Sequence, residues 1–243
     1  QKKLSMKIVV ISPGLSLPRY IKRVKSFVTA GHDVVVYGYT RGEFQNLEGY
    51  PQEVNVVNLG SLEDAKGYLY NVKKSFKDQV PIIKKHNDED VTFYSFGFIQ
   101  SLMLYLFAKR PYMYEISDLV YGTFRNLILR NILACIDRRI IKKAYCTIMT
   151  SSGFKDYLFP LEDRKNILIQ PNKLDASFNS LERKKKSISK DITFGFVGYI
   201  RYPNTVFRFA RIIGEKYPNH KFYFYGDLYY YNGTESMKVA LIG

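Results

Sequence analysis

Short hydrophobic runs alternate with longer segments of helical periodicity along this chain. The first run, KIVVIS at Lys7–Ser12, lacks polar alternation, which is typical of a parallel strand buried on both faces. After a Pro13-Gly14 turn, apolar residues recur at helical spacing as far as Val28. Gly31 then marks a helix end before the run Val34–Tyr37. These segments predict one strand–helix–strand unit.

The same alternation continues over the following 130 or so positions. Further strands are predicted at Val54–Leu59, Val91–Ser95, Tyr112–Ile116, Cys146–Thr150 and Ile167–Ile169. Helices are predicted around Leu69–Lys85, Phe98–Ala108 and Leu127–Ala144. Strands that alternate with helices in this way predict an α/β fold with a doubly wound, Rossmann-like domain over residues 6–172.

The periodicity stops after this domain. Residues 173–190 contain several serines and the basic run Arg183–Lys186, a pattern typical of a solvated linker. Strand–helix–strand periodicity returns at Ile192–Val197, Val206–Tyr217 and Lys221–Tyr225. Residues 191–243 are therefore predicted to begin a second Rossmann-like domain. They leave room for about two strands, too few to close a core, so we expect the natural protein to continue.

Charge and composition restrict the partners and the compartment. The formal net charge of +15 favours an anionic partner such as a phosphorylated ligand, an anionic lipid or a nucleic acid. Two cysteines without CxxC spacing, and scattered histidines, favour neither a disulfide scaffold nor a metal site. No apolar run reaches the 18 or so residues of a spanning helix. A cytoplasmic protein, peripheral at the inner face of a membrane, is the predicted location.

Several short motifs resemble those of bacterial glycosyltransferases of the GT-B fold, especially the family 4 type. The motifs are Pro18-Arg19 with the turn Gly31–Val34, the strand end Tyr114–Leu119, the segment Ala144–Phe154, the strand end Gln170–Asn172 and the loop Phe196–Arg201. The resemblance spans most of the chain. It implies transfer from a nucleotide-sugar to a saccharide or lipid-linked acceptor, in surface polysaccharide or glycolipid synthesis. It further implies retention of configuration without a metal or other cofactor.

Candidate site residues follow from the resemblance and from leaving-group chemistry. A diphosphate that departs without a metal needs backbone N–H groups, a helix N-terminus and cations, for which Gly198 and Arg201 are placed. Gly14 allows close backbone approach at the carboxyl end of the sheet. A strand-end carboxylate can orient or deprotonate an acceptor hydroxyl, and Asp118 is preferred over Glu115 as the catalytic group. The remaining substrate-binding candidates, from the family motifs, are Arg19, Glu115 and Asn172.

Each candidate has a structural alternative. Gly14 and Gly198 are also suited to simple turns, Arg201 to a solvated surface, and Asp118 to the cap of the helix that follows Leu119. The segment Arg125–Lys143 combines a basic face, suited to anionic lipid, with a stripe predicted to pack in the core. The stripe consists of Leu129, Ile132, Leu133, Ile136, Ile140 and Ile141.

Two other classes of function compete with glycosyl transfer. Positive charge combined with 21 tyrosines and 17 phenylalanines suits nucleic acid. However, most of these aromatic residues lie within strand and helix patterns, and Tyr223 to Tyr225 are predicted to be buried. We therefore expect no nucleic-acid partner. A non-catalytic Rossmann-like partner protein is the third hypothesis, and this chain by itself is not expected to catalyse transfer.

Overall fold

The computed structural model describes residues 5–41, 47, 49–62, 67–172, 192–197 and 203–225. The chain divides into two compact units, Gln1–Leu174 and Asp175–Gly243. The first unit contains, in order, β1 (Lys7–Ile11), α1 (Pro18–Thr29), β2 (Asp33–Arg41), β3 (Asn55–Leu62), α2 (Tyr68–His86), β4 (Val91–Phe96), α3 (Phe98–Phe107), β5 (Tyr112–Ile116), α4 (Leu127–Lys143), β6 (Cys146–Met149), α5 (Ser152–Leu158) and β7 (Ile167–Ile169). A 3-10 turn, Val120–Thr123, precedes α4.

The seven strands form one parallel sheet in the order β3-β2-β1-β4-β5-β6-β7. β1 is central: Lys7 is in register with Asp33 of β2 on one side and with Val91 of β4 on the other. Buried parallel strands read as uninterrupted apolar runs, which is why the sequence predicted them. The predicted doubly wound α/β fold is confirmed.

Two hydrophobic cores cover the opposite faces of this sheet. On one face, Ile8 and Val10 of β1 pack in the same core as Tyr20 and Val24 of α1. On the other face, alternate strand residues pack in one core with α2, α3 and α4, which contribute the buried side chains Ile83, Met103, Leu104, Ile140 and Ile141. Because successive strand side chains point to opposite faces, both cores draw on the same strands.

The ends of α1 follow from local chemistry. Pro18 occupies its first turn, where the missing N–H leaves no intrahelical bond unmade. After the helix, Gly31 adopts a positive φ of 88°, which a glycine accepts without strain. Its N–H donates to the carbonyl of Val28 at 2.8 Å, so the predicted helix end at Gly31 is confirmed.

The helices differ from the prediction in two ways. The periodicity did not predict α5, which has only seven residues. In α4, Leu129 and Ile132 are exposed rather than in the core, and the first fully buried side chain is Ala134. The reason is length: a 17-residue helix spans about 25 Å, whereas the five-residue β5 that it covers spans about 16 Å.

In the second unit, the structure describes β8 (Thr193–Val197), α6 (Pro203–Lys216) and β9 (Lys221–Tyr225), with β8 and β9 paired in parallel. The predicted strand–helix–strand order is confirmed for these elements. The predicted burial of β9 is wrong at two positions, because Tyr223 and Tyr225 are exposed. They alternate with partly buried aromatic side chains, so β9 has one covered and one open face in the described residues.

Candidate substrate site at the sheet switch point

The candidate site lies at the carboxyl edge of the first sheet, where β1 and β4 are neighbours. The chain leaves β1 through α1 on one face of the sheet, whereas α2 and α3, which flank β4 in sequence, pack on the opposite face. The connections that follow β1 and β4 therefore diverge. Such a divergence leaves the crevice in which open α/β sheets bind ligands.

The loop between β1 and α1, residues 12–17, is fixed against its neighbours. The N–H of Ser12 donates to the carbonyl of Tyr37 at 2.9 Å, and that of Leu15 to the carbonyl of Tyr39 at 2.8 Å. From α2, the fully buried Gln79 donates through Nε2 to the carbonyl of Ser12 at 3.0 Å. Gln79 also accepts a 3.4 Å bond from buried Gln100 of α3, so a chain of amides joins both sides of the crevice.

Two glycines near this loop differ in what they require. A Cβ on Gly38 of β2 would lie 2.8 Å from Cδ2 of buried Leu15, so a glycine is needed for β2 to pack against the loop. A Cβ on Gly14 would meet nothing closer than Cδ1 of Leu17 at 3.9 Å. Packing against these described neighbours does not require a glycine at position 14. Gly14 is buried; its N–H donates to Oγ of Ser12 at 3.3 Å, and its carbonyl accepts from the same hydroxyl at 2.6 Å.

The N-terminus of α1 faces the same edge and carries no negative charge. Its cap residue, Leu17, offers no side-chain acceptor to the first N–H groups, and the first turn holds no acidic residue. Arg19 lies in this turn, with its guanidinium 5.1 Å from the ring centre of Tyr20 and its Nε buried without a hydrogen-bond partner among the described residues. Helix N–H groups and an arginine together favour a phosphate.

Glu115 lies at the carboxyl end of β5 but is 1% exposed. Its Oε2 accepts a 2.8 Å hydrogen bond from Nε of Arg23 and another from the hydroxyl of Tyr94. Burial alone would lower the pKa of Arg23, but Tyr94 and Glu115 outweigh it and raise that pKa. Burial and the adjacent carboxylate also raise the pKa of Tyr94 well above its usual value. The structure thus places Glu115 in a buried ion pair beneath α1.

Asp118 is exposed and lies two residues beyond the end of β5. The 3-10 turn Val120–Thr123 directly follows Leu119. The later α4 is capped by Asn126, whose side chain accepts from the N–H of Leu129 at 3.1 Å. β5 is two strands from β1 in the sheet, so their ends lie about 10 Å apart at about 4.8 Å per strand. That separation suits a substrate that spans the crevice.

A buried network on the other face anchors the segment after Asp118. The hydroxyl of Tyr121, in the 3-10 turn, donates to Oδ2 of Asp137 in α4 at 2.7 Å, and Tyr114 of β5 also bonds to this carboxyl. Burial raises the pKa of Asp137 to about 6 against the opposing effect of both hydroxyls. The network therefore joins β5, the turn and α4, the elements on either side of Asp118 in the sequence.

The remaining candidates are less closely placed. Asn172 is exposed and follows β7, the last strand of the sheet. Gly198 and Arg201 lie outside the described residues. The predicted linker at 173–190 also lies outside them, and the chain divides into its two units between Leu174 and Asp175. Within the described ranges, no group of three or more His, Cys, Asp or Glu side chains is placed to hold a metal ion.

The structure thus places Gly14, in the loop after β1, and Arg19, in the first turn of α1, at one side of the crevice and Asp118 at the other. Sequence reasoning missed Arg23, although its spacing of four from Arg19 puts both arginines on one side of α1. It also missed Gln79, for which the sequence offers no signal.

Comparisons with known proteins agree with this architecture. Neither a protein-family model nor a curated protein sequence matches the chain. Among solved structures, TarM matches with a TM-score of 0.61 at 9% identity, over 98% of this chain and 74% of its own. The N-terminal domain of Candida albicans trehalose-6-phosphate phosphatase matches with a TM-score of 0.60 at 12% identity, over 100% and 68%.

A third match is Arabidopsis thaliana UGT89C1, solved with UDP-L-rhamnose, with a TM-score of 0.51 at 10% identity over 91% of this chain and 69% of its own. The fold common to these neighbours is GT-B. The predicted resemblance to GT-B glycosyltransferases is therefore confirmed in fold, which is what likeness at such low identity shows.

Proposed function

We propose that this protein transfers a sugar from a nucleotide-sugar to a saccharide or lipid-linked acceptor, in surface polysaccharide or glycolipid synthesis. The observation that carries the proposal is the GT-B fold, with a crevice at the β1/β4 switch point bordered by Gly14, the N-terminus of α1 and Arg19. Neighbours of this fold include UGT89C1 with UDP-L-rhamnose and a trehalose-6-phosphate protein of E. coli with UDP-2-fluoro glucose.

The two units take different parts in the proposed reaction. Residues 6–172 bind the acceptor, and residues 191–243 begin the donor domain, with 173–190 as the linker. Gly198 and Arg201 contact the donor diphosphate, whereas Asn172 and Arg19 contact substrate from the first domain. The buried position of Glu115 supports an indirect part, in which it holds Arg23 and the underside of α1 in place.

The proposed chemistry is a substitution at the anomeric carbon. An acceptor hydroxyl oxygen bonds to that carbon, the bond from carbon to diphosphate oxygen breaks, and the nucleoside diphosphate departs with the bonding electrons. Asp118 orients the hydroxyl and takes its proton. The donor phosphates are stabilised by N–H groups and arginine without a metal. The sugar keeps its anomeric configuration because the hydroxyl enters on the same face of the sugar from which the diphosphate departs.

A pair of aspartates at opposite edges of the sheet tests this assignment. Asp118 is exposed at the carboxyl edge, and Asp90 is exposed just before β4, at the amino edge. In the protein at its full natural length, Asp118→Asn should lower kcat by about 100-fold or more, as the loss of a general base does. Asp90→Asn should leave kcat unchanged. Equal activity of both variants would remove Asp118 from catalysis.

Nucleic-acid binding is the second candidate function. It is favoured by the net charge of +15 and by Tyr223 and Tyr225, which are exposed on β9 with ring centres 6.3 Å apart. Exposed aromatic rings beside positive charge can stack unpaired bases. Salt-sensitive binding of random oligonucleotides, lost in a Tyr223→Ala/Tyr225→Ala variant, would favour this function over sugar transfer. Absence of such binding supports the transferase.

A further inference from the structure

Exposed apolar side chains cover the first two turns of α4, at the carboxyl edge of the first sheet. Leu127, Ile128, Leu129 and Ile132 are 59%, 73%, 42% and 51% exposed. Single exposed leucines are ordinary on protein surfaces, but four such residues among six consecutive positions form one contiguous patch. Contiguous apolar patches mark surfaces that bind proteins or membranes.

The exposed charges on α4 and directly before it have one sign. Arg125 precedes the helix and Arg139 continues the outward stripe of Ile128, Ile132 and Cys135 at helical spacing, and both arginines are exposed. The one carboxylate of α4, Asp137, is fully buried on the opposite side. The outer surface of α4 therefore presents apolar and cationic groups without an acidic one, which suits an anionic lipid surface.

The start of α2 adds a second apolar group at the same edge. Tyr68, Leu69 and Tyr70 are exposed in its first turn, and Lys73 and Lys77 are exposed in the next two turns. α2 packs on α3 and α3 on α4, all on one face of the sheet. Two interhelical spacings of about 8–10 Å put the two helix starts about 20 Å apart. We call these seven apolar residues of α2 and α4 the apolar rim.

We propose that the apolar rim docks this protein on an anionic bilayer. The charge complementarity of its arginines and lysines with acidic headgroups selects this occupant. Among the described residues, no helix is long and apolar enough to cross a membrane. Interfacial helices instead bury their apolar face about 5–10 Å into the headgroup region. The docked edge of the sheet is the one that carries the crevice, so docking would bring the crevice to a lipid-linked acceptor. This role for docking rests on the proposed function.

Vesicle sedimentation of the protein at its full natural length tests the docking. Binding should be at least tenfold stronger to phosphatidylcholine vesicles with 30% or so phosphatidylglycerol than to phosphatidylcholine alone, because each cation near an acidic surface adds attraction. An Ile128→Ser/Ile132→Ser variant should bind at least tenfold more weakly, equal to about 1.4 kcal/mol. Both side chains are mostly exposed, so its melting temperature should match the wild type.

The matched control removes two exposed apolar side chains from the amino edge of the same sheet. Tyr145, just before β6, and Leu161, between α5 and β7, are 74% and 97% exposed. A Tyr145→Ser/Leu161→Ser variant should retain full vesicle binding. Equal losses in the two double variants, or equal binding to both kinds of vesicle, would overturn the proposal. A lipid-free dimer that dissociates in Ile128→Ser/Ile132→Ser would overturn it too, and would assign the patch to a second copy.

A dye and a donor titration complete the test. A polarity-sensitive dye on Cys135, in a Cys146→Ser background, should shift to the blue with anionic vesicles, and an unchanged spectrum would contradict insertion of α4. Calorimetry with nucleotide-sugars, without lipid, tests the proposed function separately. If the protein binds vesicles but binds none of the nucleotide-sugars, the proposed transferase function is wrong and the docking proposal stands.

Discussion

Replacing Arg23 by methionine would leave the Glu115 carboxylate in the core without its cation. Glu115 is 1% exposed and Arg23 is 17% exposed, so little water can take the place of the lost guanidinium. Removing one partner of a buried ion pair destabilises a protein by about 3–5 kcal/mol. Because Arg23 retains some exposure, we expect a loss near the lower end, about 3 kcal/mol in the free energy of unfolding of the first unit.

Urea unfolding followed by circular dichroism measures this loss, with Arg19→Met as the matched control. Arg19 lies one turn earlier on α1 and contacts an aromatic ring rather than a carboxylate among its described partners, so its replacement should cost less than about 1 kcal/mol. In a background of Glu115→Gln, the effect of Arg23→Met should shrink by more than half. Equal losses for the two arginines, or a loss below about 1 kcal/mol for Arg23→Met, would refute the buried pair.

Three further predictions concern the core, the loop and the crevice. The pKa of Asp137 in the folded protein, about 6, lies above its ordinary 3.8, so only the folded state keeps the proton in this interval. The contribution of Asp137 to the free energy of unfolding should therefore fall by roughly 2 kcal/mol as pH rises from 3.8 to 6, and Asp137→Asn should remove this fall in urea titrations across that range. Gly38→Ala should lower the free energy of unfolding by about 1–3 kcal/mol through its clash with Leu15, whereas Gly14→Ala, which meets no clash, should not; equal urea midpoints would contradict the packing. Arg19→Gln should raise the KM of one substrate at least fivefold with little change of melting temperature, and unchanged kinetics would exclude it from the site.

The sequence predicted strands better than helix surfaces. β5, β7 and β9 begin and end at the predicted residues. For β5 the reason is that a strand buried within the sheet needs apolar residues over most of its length. Periodicity in α4 aligned Ile132 with Ile136 and Ile140 but carried no information on where along the helix the core ends. The exposed start of the helix therefore became visible only with the sheet in place.

The candidate site residues were also predicted with unequal success. Candidates that depend on a strand end, Gly14 and Asp118, lie at the carboxyl edge of the sheet because parallel strands all end there. Glu115 was selected by the same rule, yet its side chain turns into the core. Its partner Arg23 is 92 residues away in the chain, and no local pattern reveals such a pairing.

The most direct test of the central claim is the transfer reaction itself. The protein at its full natural length would be incubated with a panel of radiolabelled nucleotide-sugars and an extract of bacterial membranes, and label would be followed into saccharide and lipid fractions. We predict that label from one donor enters one of these fractions, with release of an equal amount of nucleoside diphosphate and no need for added metal. Absence of label from every donor, together with salt-sensitive binding of random oligonucleotides, would contradict the account.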